Sequence, residues 1–150
     1  MLLKNVFIGF LSFSILHADT LKECKTEADK ISGCVEKEYD SSVNLWRETP
    51  YKNGKKEGIE KRYYENGNLE GEIPYKNHNI DGDMKLYTED KKLLAAINAQ
   101  NNKLISGKCF NNKVLTDKDL KGIENNYINI EKALNYLQEI CLNPFSYINN

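Results

Sequence analysis

The chain repeats itself every 24 residues, and no other feature narrows so far what it can fold into. The stretch from Tyr51, YKNGKKEGIEKRYYENGNLEGEIP, aligns with the stretch from Tyr75, YKNHNIDGDMKLYTEDKKLLAAIN. Tyr51 matches Tyr75, Gly58 matches Gly82, Tyr63 matches Tyr87, Leu69 matches Leu93 and Ile73 matches Ile97. Backwards, Tyr39, Leu45 and Pro50 stand one period before Tyr63, Leu69 and Pro74. Forwards the period decays, with Gly107 one residue late and Phe110 in an aromatic place. Two good copies flanked by two degenerate ones are the pattern of a repeat array, whose end units are atypical.

Each copy reads as a β-hairpin. Asn53-Gly54 and Asn66-Gly67 are turn dipeptides, because both residue types tolerate positive φ. Between them the chain alternates, which predicts strands. Leu69, Gly71, Ile73 and Tyr75 fall on one side, with Glu70, Glu72 and Pro74 on the other. Leu45, Thr49 and Tyr51 likewise oppose Trp46, Glu48 and Pro50. Proline has no N–H to donate, so Pro50 and Pro74 are expected at an edge or a strand end. The segment from Leu93 is apolar on both sides, and such a strand is expected to be covered on both faces. Tyr39, Tyr63 and Tyr87 recur once per copy and are expected to stack into a core ladder.

The ends are helical. From Leu120 the apolar positions advance by 3 and 4 through Ile123, Tyr127, Ile130, Leu134 and Leu137 to Cys141, an amphipathic seam. It predicts a helix over 116–141 that docks on the sheet, with Gly122 and Asn125-Asn126 as its weak middle. Thr20 to Glu23 fits a capping box for a short helix within 19–33. Ahead of it, Lys4, the apolar run Val6–Leu16 and Ala18 compose a secretory signal, 1–18. That run is too short for a spanning helix, which needs about 20 residues. The mature domain is then 19–150, periplasmic or secreted. Mass spectrometry of the native protein is expected to find a new N-terminus near Asp19, and an intact Met1 in cytosolic fractions would refute export.

Charge and chemistry exclude several functions. With 21 Lys+Arg against 22 Asp+Glu the net charge is −1, without the basic excess of a nucleic-acid binder. Cys24, Cys34, Cys109 and Cys141 make an even count in an exported chain, which favours disulfides of three possible connectivities. Zinc is disfavoured, because no C-x-x-C pair exists and His78 is the single histidine after the signal. Cys24 follows Lys22-Glu23, unlike a lipid attachment site. Asn79-Ile-Asp81-Gly-Asp83 lacks the further ligands of a calcium loop, and no cofactor is expected. Without a second histidine or a free thiol, no nucleophile–histidine pair assembles. Glu60, Glu65, Glu70, Glu72, Asp81 and Asp83 read as ordinary solvated charge. A hydrolase using two such carboxylates on cell-wall glycan stands as the alternative to a binding function.

The unit Y-K-N-G-x-x-x-G, Y-Y-E-N-G-x-L and E-I-P, carried by Tyr51–Gly58, Tyr63–Leu69, Glu72–Tyr75 and Gly82–Tyr87, resembles the variant MORN repeat of bacterial YwqK-type antitoxins. The resemblance covers residues 34–110. It implies an α+β fold, an elongated antiparallel sheet of stacked hairpins capped by the two helices. It also implies a non-catalytic module that binds a protein or cell-envelope partner, antitoxin-like, with a monomer expected. In such an array Cys24 pairs with Cys34 and Cys109 with Cys141, since the other pairings would join opposite ends of the sheet. The aromatics that the repeat does not require, Trp46 and Tyr64, fall with Arg62 on the side away from the core, together with Glu48, Glu70 and Glu72. Trp46, Arg62 and Tyr64 have the composition of an interface hot spot and are the candidate partner-binding residues.

Overall fold

In the computed structural model of this chain, residues 21–126 and 130–142 are described, and the expected signal at 1–18 lies outside them. The described residues form a nine-stranded antiparallel sheet with three helices, an α+β fold. β1 (Cys34–Tyr39), β4 (Gly58–Tyr63) and β7 (Gly82–Tyr87) begin one 24-residue period apart. So do their hairpin partners β2 (Leu45–Lys52), β5 (Leu69–Lys76) and β8 (Leu93–Gln100). The short β3 (Lys55–Lys56) and β6 (Asn79–Ile80) pair with β2 and β5, and β9 (Lys103–Cys109) completes the order β1-β2-β4-β5-β7-β8-β9.

Each hairpin turn docks on the repeat before it. His78 N–H donates to the Lys56 carbonyl at 3.0 Å and Asn102 N–H to the Ile80 carbonyl at 2.9 Å. Asn77 and Asn101 N–H donate to the carboxylates of Glu57 and Asp81. Among the described residues no repeat precedes the first turn, and α1 (Glu27–Ser32) stands in for one. Asn53 and Gly54 N–H donate to the Ile31 and Lys30 carbonyls at 2.9 and 3.0 Å, groups that a helix C-terminus leaves unpaired. This helix starts later than Thr20–Glu23 suggests. Its capping box is Thr26 with Asp29, because Lys22 and Cys24 are hydrogen-bonded to Val35 beside β1.

Pro50 and Pro74 correct the expectation of an edge or strand end. Both lie inside strands with neighbours on either side. The ladder is interrupted beside them, where Glu57 and Asp81 N–H donate to the proline carbonyls at 3.0 Å. No donor is required of the ring there. Gly58 makes the room: a Cβ on it would stand 3.0 Å from Pro50 Cγ.

A β-bulge in every long hairpin also corrects the expected faces. Glu38 and Tyr39 pair with Arg47 and Leu45, Arg62 and Tyr63 with Gly71 and Leu69, and Leu86 and Tyr87 with Ala95 and Leu93. Trp46, Glu70 and Leu94 are therefore the inserted residues, one per repeat. A one-residue slip moves the rest of the strand to the opposite face. Leu94 joins Ala95 in the buried cluster while Leu93 is exposed, so the strand is not covered on both sides. Tyr63 and Tyr87 leave the core as well. Their hydroxyls donate to Glu48 at 2.6 Å and Glu72 at 2.9 Å, on the open face of the sheet.

The core lies under the C-terminal helices. The predicted single helix over 116–141 is two elements, α2 (Asp117–Asn126) and α3 (Ile130–Leu142), packed on each other. Asn125 and Asn126, poor helix formers, end the first. Leu120 and Ile123 of α2 and Leu134, Leu137 and Cys141 of α3 bury against Leu86, Leu94, Ala95 and Ile97. The structure joins Cys24 to Cys34 and Cys109 to Cys141, with Cα atoms 5.1 and 5.4 Å apart.

Four turns at the opposite end of the hairpins share one shape. Asp40, Tyr64, Thr88 and Cys109 N–H donate to the carbonyls of Asn44, Asn68, Lys92 and Lys113. The left-handed residue is Val43, Gly67, Lys91 or Asn112, so the last copy runs three residues short. Val43, at φ 66°, is β-branched and pays about 1–2 kcal/mol for a conformation that glycine adopts freely. Val43→Gly is expected to raise stability by about 1 kcal/mol, read as a higher urea midpoint at constant slope. An unmoved midpoint would show that the turn carries no such strain.

Candidate functional site

The helix-bearing face changes character along the array at equivalent repeat positions. One position reads Glu36, Glu60, Met84, and another Glu38, Arg62, Leu86. A third reads Arg47, Gly71, Ala95, and a fourth Thr49, Ile73, Ile97. Over β7, β8 and β9 this face is apolar and lies under α2 and α3. Over β1, β2 and β4 the same positions are charged except for Thr49, and α1 lies beside only their Tyr51 end, where Lys30 reaches Glu36 at 2.8 Å.

Glu60 anchors the charged half. It is wholly buried, contrary to the solvated role expected of it. Its carboxylate accepts from Thr49 Oγ1 at 3.1 Å, Lys56 Nζ at 2.9 Å and Arg62 Nε at 2.9 Å. Burial pushes this carboxyl up, but Arg62 and Lys56 outweigh it and hold it below its ordinary range. An ionised Glu60 is thus the stable form at neutral pH. Lys56 also stands 4.7 Å over the Tyr75 ring.

Arg62 is therefore part of a buried network and does not point away from the core as expected. The register sets it directly opposite Arg47, and these are the chain's two arginines. Like charges facing each other across strands repel, and each has an acid to offset this, Glu60 for Arg62 and Glu38 for Arg47. The Arg47 guanidinium lies 4.5 Å from the centroid of Trp46, a cation–π contact that sets the bulged Trp46 on the same face. Tyr64 lies on this face too. With Glu65, Glu70 and Glu89 it lines a groove of about 580 Å³ against Leu134, Asn135 and Gln138 of α3. Its hydroxyl donates to the Tyr87 carbonyl at 2.7 Å. Burial, then Glu70 and Glu89, push its pKa up to about 12, so it stays a neutral donor that ties one repeat to the next. The structure brings Trp46, Arg62 and Tyr64 to one side of the sheet, and that side is the one the helices cover further along.

The open face is organised differently. Lys37, Glu48, Lys61, Glu72 and Lys85 stand in register across five strands, alternating in sign. Lys37 meets Glu48 at 3.1 Å, and Lys85 lies 3.8 Å from Glu72. Of the acids a glycan-cleaving pair would draw on, Glu60 is committed to three donors. Glu72 accepts from Tyr87, and Asp83 accepts from the Asn98 amide at 2.8 Å. Among the described residues no group of His, Cys, Asp and Glu is arranged to hold a metal ion, and no helix is long and apolar enough to cross a membrane.

Sequence reasoning missed Arg47, Glu60 and Lys56. The signal was available in the repeat positions themselves, where Glu60 occupies the place that Met84 fills in the next copy. Searches of curated proteins and of solved structures returned no match. A family model described as a MORN repeat variant matches residues 56–77, the span from β3 through the β4–β5 hairpin. That match falls on the middle one of three equally spaced hairpins, so this hairpin is similar to a MORN repeat variant.

Proposed function

We propose that this chain is a non-catalytic interaction module that works outside the cytoplasm and binds a protein or cell-envelope partner through the uncovered, charged half of its helix face. An antitoxin- or immunity-like role is the specific form this binding takes. MORN repeats are in general protein- or membrane-binding modules, and two cysteine pairs at bonding distance fit an oxidising, extracytoplasmic setting. The observation that carries the reading is the pairing of the chain's two arginines beside Trp46, on positions whose equivalents form the core further along the array, Leu86 one repeat after Arg62 and Ala95 two repeats after Arg47. Arginine beside a large aromatic is the composition of a binding hot spot.

Trp46 is the residue to test, because Tyr64 and Arg62 also hold the fold together. Trp46→Ala is expected to abolish partner capture in crosslinking from envelope fractions while costing less than about 1 kcal/mol of stability, as it lies outside the buried cluster. Undiminished capture would overturn the reading. A large fall in melting temperature would mean that Trp46 is structural.

A further inference from the structure

We infer that the outer edge of β1 is a docking strand for an extended, acid-bearing segment of a partner polypeptide, which adds to the sheet beside Lys37. This goes beyond the face reading above and does not depend on it. Val35 N–H donates to the Lys22 carbonyl and its carbonyl accepts from Cys24 N–H, both at 2.8 Å, so the Val35 backbone groups point away from β2. Backbone direction alternates along a strand, and Lys37 and Tyr39 point outward in the same way. The chain leaves this edge at Lys25 to enter α1, and no described residue pairs with β1 beyond Val35.

The interior of the array shows what fits there. Lys61 has Glu48 on one neighbouring strand and Glu72 on the other. Lys37 occupies the equivalent place one repeat earlier and has a cross-strand carboxylate on one side alone, Glu48 at 3.1 Å, with Glu23 acting on it only at longer range from beside Val35. The position missing beside it is one where the ladder sets a carboxylate. On the helix face the interior strand sets Arg47 one residue before Glu48, and the missing residue there would face Glu38. The fitting segment thus runs antiparallel to β1 with a basic residue followed by an acidic one. Tyr39 and Val43, 48% and 78% exposed at the end of the same edge, supply an apolar anchor. Main-chain bonds supply affinity in such strand addition, and alternate side chains supply specificity.

A second copy of this chain is the wrong occupant. A twofold axis normal to the sheet keeps faces matched, so it sets Lys37 against Lys37 and Glu36 against Glu38. Like charges directly opposite one another are destabilising.

The probe is a synthetic octapeptide with the sequence of residues 45–52, LWRETPYK, titrated into the isotopically labelled protein and followed by amide resonances and hydrogen exchange. Saturable shifts are expected at residues 36–39, with exchange of the Lys37 and Tyr39 amides slowed at least tenfold. The same peptide carrying Glu48→Lys is expected to bind at least tenfold more weakly, and Lys37→Glu in the protein to reverse that preference. Lys37→Pro removes an outward N–H, which an edge strand tolerates, and is expected to abolish binding with resonances elsewhere unmoved. Absence of shifts at β1 overturns the inference, as does equal binding of both peptides. Shifts centred on Trp46 and Arg62 overturn it while favouring the face reading. Amides of Lys37 and Tyr39 already protected in the free protein mean that its own chain occupies the edge, and that also overturns it.

Discussion

Replacing Glu60 with alanine should destabilise the protein by about 3–5 kcal/mol, because it leaves buried cations without their counter-charge. Surface ion pairs contribute roughly 0–1 kcal/mol, and the distinction here is burial. The Glu60 side chain has no solvent exposure, and those of Arg62 and Lys56 keep only 12% and 24%. The loss should be recovered in large part by giving this repeat the residues of the next. Glu60→Met with Arg62→Leu, Thr49→Ile and Lys56→Ile reproduces Met84, Leu86, Ile73 and Ile80, and apolar replacement of a whole buried ion network is often neutral or stabilising. If Glu60→Ala alone costs less than about 1 kcal/mol, the network is a surface one. The same group sets a pH dependence. Its folded-state pKa is held below the ordinary 4.5, so the folded protein binds fewer protons there than the unfolded chain. That contribution is fully present above about pH 4.5 and is lost as pH falls through the lowered folded value. Urea midpoints measured from pH 7 to pH 3 should fall less steeply below pH 4.5 in Glu60→Gln than in the parent.

The repeat made the hairpins legible and the faces illegible. Spacing alone locates β1, β4 and β7 and their partners, because the turn residues Asn53, Asn77 and Asn101 and the pairs Pro50–Gly58 and Pro74–Gly82 recur 24 residues apart. Strict alternation then fails at Trp46, Glu70 and Leu94, since a bulge leaves no mark on a pattern of apolar and polar residues. That one inserted residue per hairpin turns Leu69, with Tyr63 opposite it, to the face away from Ile73, while Arg62, opposite Gly71, stays on the core side. It also relieves β8 of the second cover that its apolar run suggested. Alternation assumes that every residue is paired, whereas the repeat is built on one that is not. Reading the copies position by position would have gone further than reading along the chain. The succession Glu36, Glu60, Met84 marks a face that passes from charged to apolar. An acid at a position that is core one repeat later is a candidate for burial with a partner. The binding role proposed for Trp46, Arg62 and Tyr64 is not written in that pattern, because a bulged tryptophan under a guanidinium is equally a packing solution.

Removing the Cys109–Cys141 bridge should cost about 3–4 kcal/mol, the loop-closure value for the 31 residues between them. Cys24–Cys34 closes only nine and holds a six-residue helix at the end of the array, so its loss should be smaller and local, about 2–3 kcal/mol. The larger effect also has a structural route. Both cysteines are almost fully buried, and their bond clamps the end of α3 to β9 above the only large apolar part of the sheet face among the described residues. Lys113 Nζ donating to the Ile140 carbonyl at 2.9 Å and the Asn111 amide donating to the Cys141 carbonyl at 3.3 Å are polar ties that remain there without it. The double variant Cys109→Ala, Cys141→Ala should therefore lose amide protection first in α3 and β8, while β1, β2 and β4 keep theirs until global unfolding. If its urea midpoint places it within about 1 kcal/mol of the parent, apolar packing alone holds the helices and the bridge is dispensable. If protection is lost evenly across the sheet, the repeats are one cooperative unit, and the charged half depends for its stability on the core at the far end of the array.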